Sequence, residues 1–148
     1  MALECKTERC MKELLGSCMC GGVQYKLTGP LYRAAYCHCS MCRKAHGSAF
    51  RPRALVATEH FHWLRGSQLV TDYQSSPGVH RCFCGTCGSP LIAYAGDEPK
   101  VFNLTLGSID GDPLIRPTEH WHVTSKAPWY EITDTLPQYD GFPPSANF

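Results

Sequence analysis

The stretch "FCGTCGSPL", Phe83–Leu91, holds two cysteines in a C-x-x-C spacing with a glycine after each. Gly85 and Gly88 permit the tight, left-handed backbone that turns both sulfurs of Cys84 and Cys87 toward one point, the form of a zinc knuckle. A tetrahedral site needs two more ligands. "SCMCGG", Ser17–Gly22, offers Cys18 and Cys20. In an extended segment residues i and i+2 point to the same side, so this C-x-C pair presents two sulfurs together. The two pairs complete a closed four-thiolate site. Cys20 and Cys84 are sixty-four positions apart, so zinc here staples the start of the domain to its middle. Such a bond contributes on the order of 10 kcal/mol of apparent folding free energy.

Ten cysteines in 148 residues otherwise suggest a disulfide scaffold. That reading needs an oxidising compartment, and "MALECKTERCMKELLG" lacks the apolar core of an export signal. A cytoplasmic zinc protein is the expectation. The length favours one domain with one core. No apolar run is long enough to span a membrane. A formal net charge of +1, with no block of like charge, disfavours a nucleic-acid partner. Residues 1–15 read as an N-terminal extension, a loose end or short helix, and residues 16–148 as the domain.

Short strands with Gly/Pro punctuation fill that domain. "GGVQYKLTG" alternates Val23, Tyr25 and Leu27 with polar positions. "LYRAAYCHC", "SAFRPRALVA", "HFHWLRG", "QLVTDYQ", "VHRCF", "PLIAYAG" and "KVFNLTLGSI" follow, with "SSPG" as a turn. The pattern predicts a mainly β, antiparallel domain. One brief helix is predicted over Ser40–His46, with Ser40 as its N-cap. After Asp110 the chain is rich in proline and aromatic residues, which predicts an irregular tail held to the core by its rings.

"YCHCSMCRKAHG", Tyr36–Gly47, places Cys37, Cys39 and Cys42 within six positions. Three ligands with an open fourth position is the catalytic zinc pattern. A second structural zinc completed by a remote residue is the alternative. His38, between two ligands, is expected to point away. Cys82 shares a strand face with Cys84 and would crowd a second ion, so it is expected as a packed thiol. Three thiolates leave zinc a weak Lewis acid, better suited to a sulfur substrate than to water activation. Arg43, Lys44, Arg51 and Arg53 follow the cluster. Singly, each reads as a solvated surface cation; together they can receive the carboxylates of a glutathione-like thiol. Arg51 and Arg53 share a strand side, and Pro52 between them suggests an edge or bulge.

With "GSCMCGGVQY", "YCHCSMCRKAHGSAF", "FCGTCGSPL", "FNLTLGSID" and "RPTEHWHVTSKAPWYEI" in this order, the chain resembles the GFA/CENP-V family, named after glutathione-dependent formaldehyde-activating enzyme. The resemblance implies an Mss4-like antiparallel β fold. It also implies a structural site at Cys18, Cys20, Cys84 and Cys87, and catalytic Cys37, Cys39 and Cys42. His120 matches a family position and enters as a site residue, whereas Glu119 and His122 do not. Cys5, Cys10 and Cys82 fall outside the family pattern. The implied activity is a carbon–sulfur lyase chemistry, the addition of glutathione to formaldehyde to give S-(hydroxymethyl)glutathione. The competing reading is a non-catalytic zinc module that binds a protein or nucleic acid, which would not need an open metal position. A redox dithiol at Cys84 and Cys87 is set aside, because Cys18 and Cys20 complete a closed site.

Overall fold

A computed structural model describes residues 13–145. The expected loose or helical N-terminus, with Cys5 and Cys10, lies outside these residues. The last residues of the expected extension are described, and Leu14 and Leu15 open the first strand.

Eleven strands and one α-helix are described: β1 (Leu14–Ser17), β2 (Gln24–Leu27), β3 (Tyr32–Cys37), α1 (Ser40–His46), β4 (Arg51–Ala57), β5 (Phe61–Arg65), β6 (Val70–Ser76), β7 (Val79–Cys84), β8 (Pro90–Ala95), β9 (Val101–Thr105), β10 (Ile109–Asp110) and β11 (His120–Trp121). Strands β10-β1-β2-β5 form one sheet, and β11-β3-β4-β9-β8-β7-β6 form a second. The predicted strands are all present, and the fold is mainly β. The irregular tail expected after Asp110 needs one correction: it contributes β11, which pairs with β3 in parallel and makes the larger sheet mixed. Its rings also divide. Trp121 is fully buried, whereas Trp129 and Phe142 are largely exposed.

The core lies between the sheets. In β2 the alternation sends Tyr25 and Leu27 inward, where they meet Phe61, Val56, Cys82, Cys84, Leu91, Ile92, Leu104 and Ile109. Burying one such aliphatic side chain contributes about 1.5–3 kcal/mol. The Tyr25 hydroxyl is satisfied by Ser108 Oγ at 2.7 Å, as a buried phenol requires. Gly16 is constrained by the same ring, because a Cβ there would come within 2.0 Å of it.

Cross-strand partners share a sheet face. Cys82, Ile92 and Leu104 pair in series and face the core. The alternate positions face the other way. Tyr73 pairs with Arg81, Arg81 with Ala93, Ala93 with Asn103, Arg53 with Thr105, and Arg51 with Cys37. This second face carries Arg51, Arg53, Arg81 and Cys37, and α1 lies along it. Pro52 sits in an interior strand, between β3 and β9. Pairing to β9 begins only at Arg53, so Pro52 stands past the end of that ladder, where no proline N–H is needed.

The helix spans its predicted residues, but the N-cap is Cys39 rather than Ser40. Cys39 has extended backbone, and its Sγ accepts from Cys42 N at 3.3 Å. Gly47, in the left-handed region at φ 57°, closes the helix by donating to Arg43 O. No helix among the described residues is long and apolar enough to cross a membrane.

Candidate metal centres and an adjoining cleft

All eight described cysteines are free thiols. Seven of them form two groups, Cys18/Cys20/Cys84/Cys87 and Cys37/Cys39/Cys42, and within each group the sulfurs lie within 4.8 Å of one another. Either group could hold a metal ion.

In the four-cysteine group, Cys18 Sγ is 3.5 Å from Cys20 Sγ, which is 3.9 Å from Cys84 Sγ. A tetrahedron with zinc–sulfur bonds of about 2.3 Å has edges of about 3.8 Å, so the donor set fits zinc. The knuckle is closed by Gly88 N donating to Cys84 O at 2.8 Å and Cys84 N to Ser89 O at 3.0 Å. Ser89 holds the Cys87 thiol down at about 5, through its hydroxyl and then its backbone. The first pair converges differently from expectation. Cys18 and Cys20 lie in a turn after β1, not in an extended segment, with Gly21 N bonded to Cys18 O at 3.0 Å and Val23 N to Cys18 Sγ at 3.2 Å.

The three-cysteine group is assembled by a strand end, an N-cap and the first turn of α1. The Cys37 and Cys39 thiols push Cys42 well below the ordinary thiol range, and Arg51 and Arg81 add to this. Cys37 is pushed far above that range by its bonds to Cys39 and Cys42. Such a cluster sheds one proton readily and resists shedding more, so a divalent cation that displaces the protons fits it. Cys82 stands apart from both groups. It is buried in the core, and burial followed by the Asp72 charge raises its thiol to about 12.

His38 and His120 are buried, and Nε2 of the first lies 2.8 Å from Nδ1 of the second. His120 Nε2 meets the Asp134 carboxylate at 3.0 and 3.1 Å, and Leu136 N holds that carboxylate at 3.0 Å. A string of hydrogen bonds thus ties the Cys37–Cys39 loop to the tail. Burial, then the His120 charge, lowers His38 to about 4.

Of the expected cations, Arg51 lies beside Cys42. It is only 3% exposed, with Nη2 donating to Asn103 O at 2.5 Å and Thr105 Oγ1 at 3.2 Å. Arg53 is also buried, stacked 4.3 Å from the Trp121 ring centre, with Nε on Asn103 Oδ1 at 2.7 Å. Neither is a solvated surface cation. Arg43 Nε turns to Ser125 O at 3.1 Å, and Lys44 lines the cleft described next. Expected His120 meets the Cys37–Cys39 loop through its contact with His38.

Three residues escaped the sequence reading: Arg81, Asp134, and His38 as the partner of His120. Arg81 Nη1 points to Cys42 Sγ at 3.7 Å, and its Nε donates to Ser75 Oγ at 3.1 Å. Strand alternation separates Arg81 from Cys82 and Cys84, but no local signal joins that face to Cys42. A cleft of about 490 Å³ opens here between α1 and the sheet. Met41, Lys44, Ala45 and His46 form one wall, and Arg51, Arg81, Ala93 and Thr105 lie on the sheet side.

A mainly β fold with two thiol clusters that could each hold a metal ion, and a cleft reached from Cys42 through Arg81, places the chain among small β proteins with candidate metal centres. Residues 13–125 match the family model described as glutathione-dependent formaldehyde-activating enzyme, and the chain belongs to this family. It is 33% identical over 128 residues to a putative glutathione-dependent formaldehyde-activating enzyme of Halomonas elongata, covering 80% of each chain. It is 32% identical over 98 residues to an uncharacterized lyase of Schizosaccharomyces pombe, covering 65% of this chain and 69% of the relative. A crystal structure of a Rhodobacter sphaeroides protein superposes with a TM-score of 0.55 at 26% identity, over 66% of this chain and 89% of that one. The family and these relatives make the chain a lyase-type enzyme.

Proposed function

We propose that this chain is a zinc-dependent carbon–sulfur lyase-type enzyme of the cytoplasm. It joins a small-molecule thiol to a small carbonyl and releases the two in reverse, with glutathione and formaldehyde as the reference pair. The observation that carries the reading is the three-thiol cluster, Cys37, Cys39 and Cys42, joined through Arg51 and Arg81 beside Cys42 to a cleft that these two arginines and Lys44 line. Those three cysteines would hold a catalytic zinc, and Cys18, Cys20, Cys84 and Cys87 a structural one. When bound, zinc supplies a thiophilic Lewis acid that makes a thiol easier to ionise.

The chain's own residues do the rest. Arg51 and Arg81 face the sulfur charge at Cys42 and favour an anion beside it. His46 on the cleft wall is lowered to about 4, first by burial and then by Arg51, so it adds no charge near neutral pH. His38, His120 and Asp134 fix the loop that carries two of the three sulfurs. In the forward direction a sulfur–carbon bond forms, the carbonyl π bond opens, and the thiol proton ends on the new hydroxyl.

Exchange NMR with labelled formaldehyde and glutathione tests this. Zinc-loaded protein should accelerate formation and cleavage of the hydroxymethyl thioether, and Cys39→Ser should abolish the acceleration. Rates equal to those of free solution in the loaded wild type would refute the reading.

A further inference from the structure

The cleft has a one-sided charge. Lys44, Arg51 and Arg81 line it, and no aspartate or glutamate is among the described residues that do. Among the described residues, neither Arg51 nor Arg81 has a carboxylate ion-pair partner. Arg51 is 3% exposed, and its buried Nε has no hydrogen-bond partner. Buried Arg51 and half-buried Arg81 have the sulfur charge at Cys42 beside them but no carboxylate, and an anion that enters there adds a charge-assisted partner.

Three thiolates around a divalent ion carry one net negative charge, against the three cations of the cleft. A thiolate together with one carboxylate brings the balance to zero. The position of the carboxylate also follows. Arg81 Nη1 is 3.7 Å from Cys42 Sγ, and its Nε is already engaged by Ser75, so its free edge lies close to the sulfurs. A carboxylate gripped there belongs within a few bonds of the substrate sulfur. Met41, Tyr73, Phe83 and Pro90 add apolar wall that suits an apolar body, and an ammonium group would meet three cations there with no carboxylate among the described lining residues to pair it.

Resting on the lyase reading above, we infer that Arg51 and Arg81 form a carboxylate subsite, and that the cleft selects an apolar mercaptocarboxylic acid without an ammonium group. Glutathione meets the carboxylate requirement, but its ammonium must stay outside the cleft. Arg51 and Arg81 thereby determine specificity, and the thiol enters as an acid whose carboxylate is read by a pair of guanidinium groups.

Calorimetry of zinc-loaded protein with four probe thiols tests the assignment, after correction for each thiol's own ionisation. The probes are 3-mercaptopropionate, its methyl ester, cysteamine and 2-mercapto-3-phenylpropionate. The acid should bind about tenfold or more tighter than the ester, as expected for a charge-assisted contact. Cysteamine should bind most weakly, and the phenyl acid most tightly. Arg81→Gln should erase the acid–ester difference, and Arg81→Lys should restore part of it. Should Arg81→Gln fail to fold, the wild-type acid–ester ratio still decides the matter. Equal binding of acid and ester, or a ratio that survives in folded Arg81→Gln, overturns the subsite while leaving the lyase reading in place. Equal binding of the two acids overturns the apolar requirement. Failure of every thiol to bind overturns both.

Discussion

Replacing Cys84 by serine should separate the two clusters by their energetic roles. Cys84 is fully buried, and the ion it would share with Cys20 closes a loop of sixty-four positions. By the chain-entropy relation for a cross-link, a loop of that length is worth about 4 kcal/mol at 25 °C, whereas the short Cys37–Cys42 loop is worth about 2 kcal/mol. Small domains are stable by only about 5–15 kcal/mol. Cys84→Ser should therefore lower Tm by roughly 12–16 °C, or leave the chain unfolded. Cys39→Ser should cost about half as much. It is a clean comparison, because serine can still cap α1 as Cys39 Sγ does. The assay is thermal unfolding by circular dichroism, with metal content measured on the same samples. Each variant should lose one ion. The reasoning is refuted if Cys84→Ser melts with the wild type, or if Cys39→Ser is the more damaging of the two.

Asp134→Ala removes the acceptor of buried His120 and should lower the urea unfolding midpoint; an unchanged midpoint would contradict the clamp. His46 has its folded value lowered to about 4 from an ordinary 6.5, so its contribution is complete above pH 6.5 and is lost as pH falls toward 4. His46→Asn should flatten the acid limb of the stability–pH curve in that window, and an identical limb in both proteins would refute the assignment. Cys82, raised to about 12 and buried, should react with iodoacetamide at pH 8 far more slowly than an exposed model thiol in native protein; labelling at the model thiol's rate, detected by mass spectrometry, would contradict its inert role.

Much of the fold was legible because its signals are local. Alternation in "QYKL" gives β2 its inward Tyr25 and Leu27, and the glycines of "FCGTCG" mark the knuckle. The cysteine spacings expose both thiol clusters for the same reason. Departures arose where tertiary pairing decided the outcome. Two residues of the tail, His120 and Trp121, become a strand only because β3 offers an edge in parallel register. Cys39 displaces Ser40 as cap because the chain leaving β3 is still extended at that position. Arg51 and Arg53 look like surface cations in sequence, yet sheet register turns both onto a covered face. Arg81 and Asp134 reach the site across separations that no spacing rule encodes. Asp134 also lies beyond residues 13–125, the segment matched by the family model.

The most direct test of the two-centre account is X-ray absorption at the zinc edge, on wild type and Cys39→Ser, with and without a bound thiol. The account predicts two ions in the wild type, surrounded by the seven sulfurs of the two clusters. A thiol ligand should raise the mean sulfur count. Cys39→Ser should retain one ion with four sulfurs and no response to thiol. A single ion in the wild type, a shell dominated by nitrogen and oxygen, or a spectrum unmoved by thiol would contradict it.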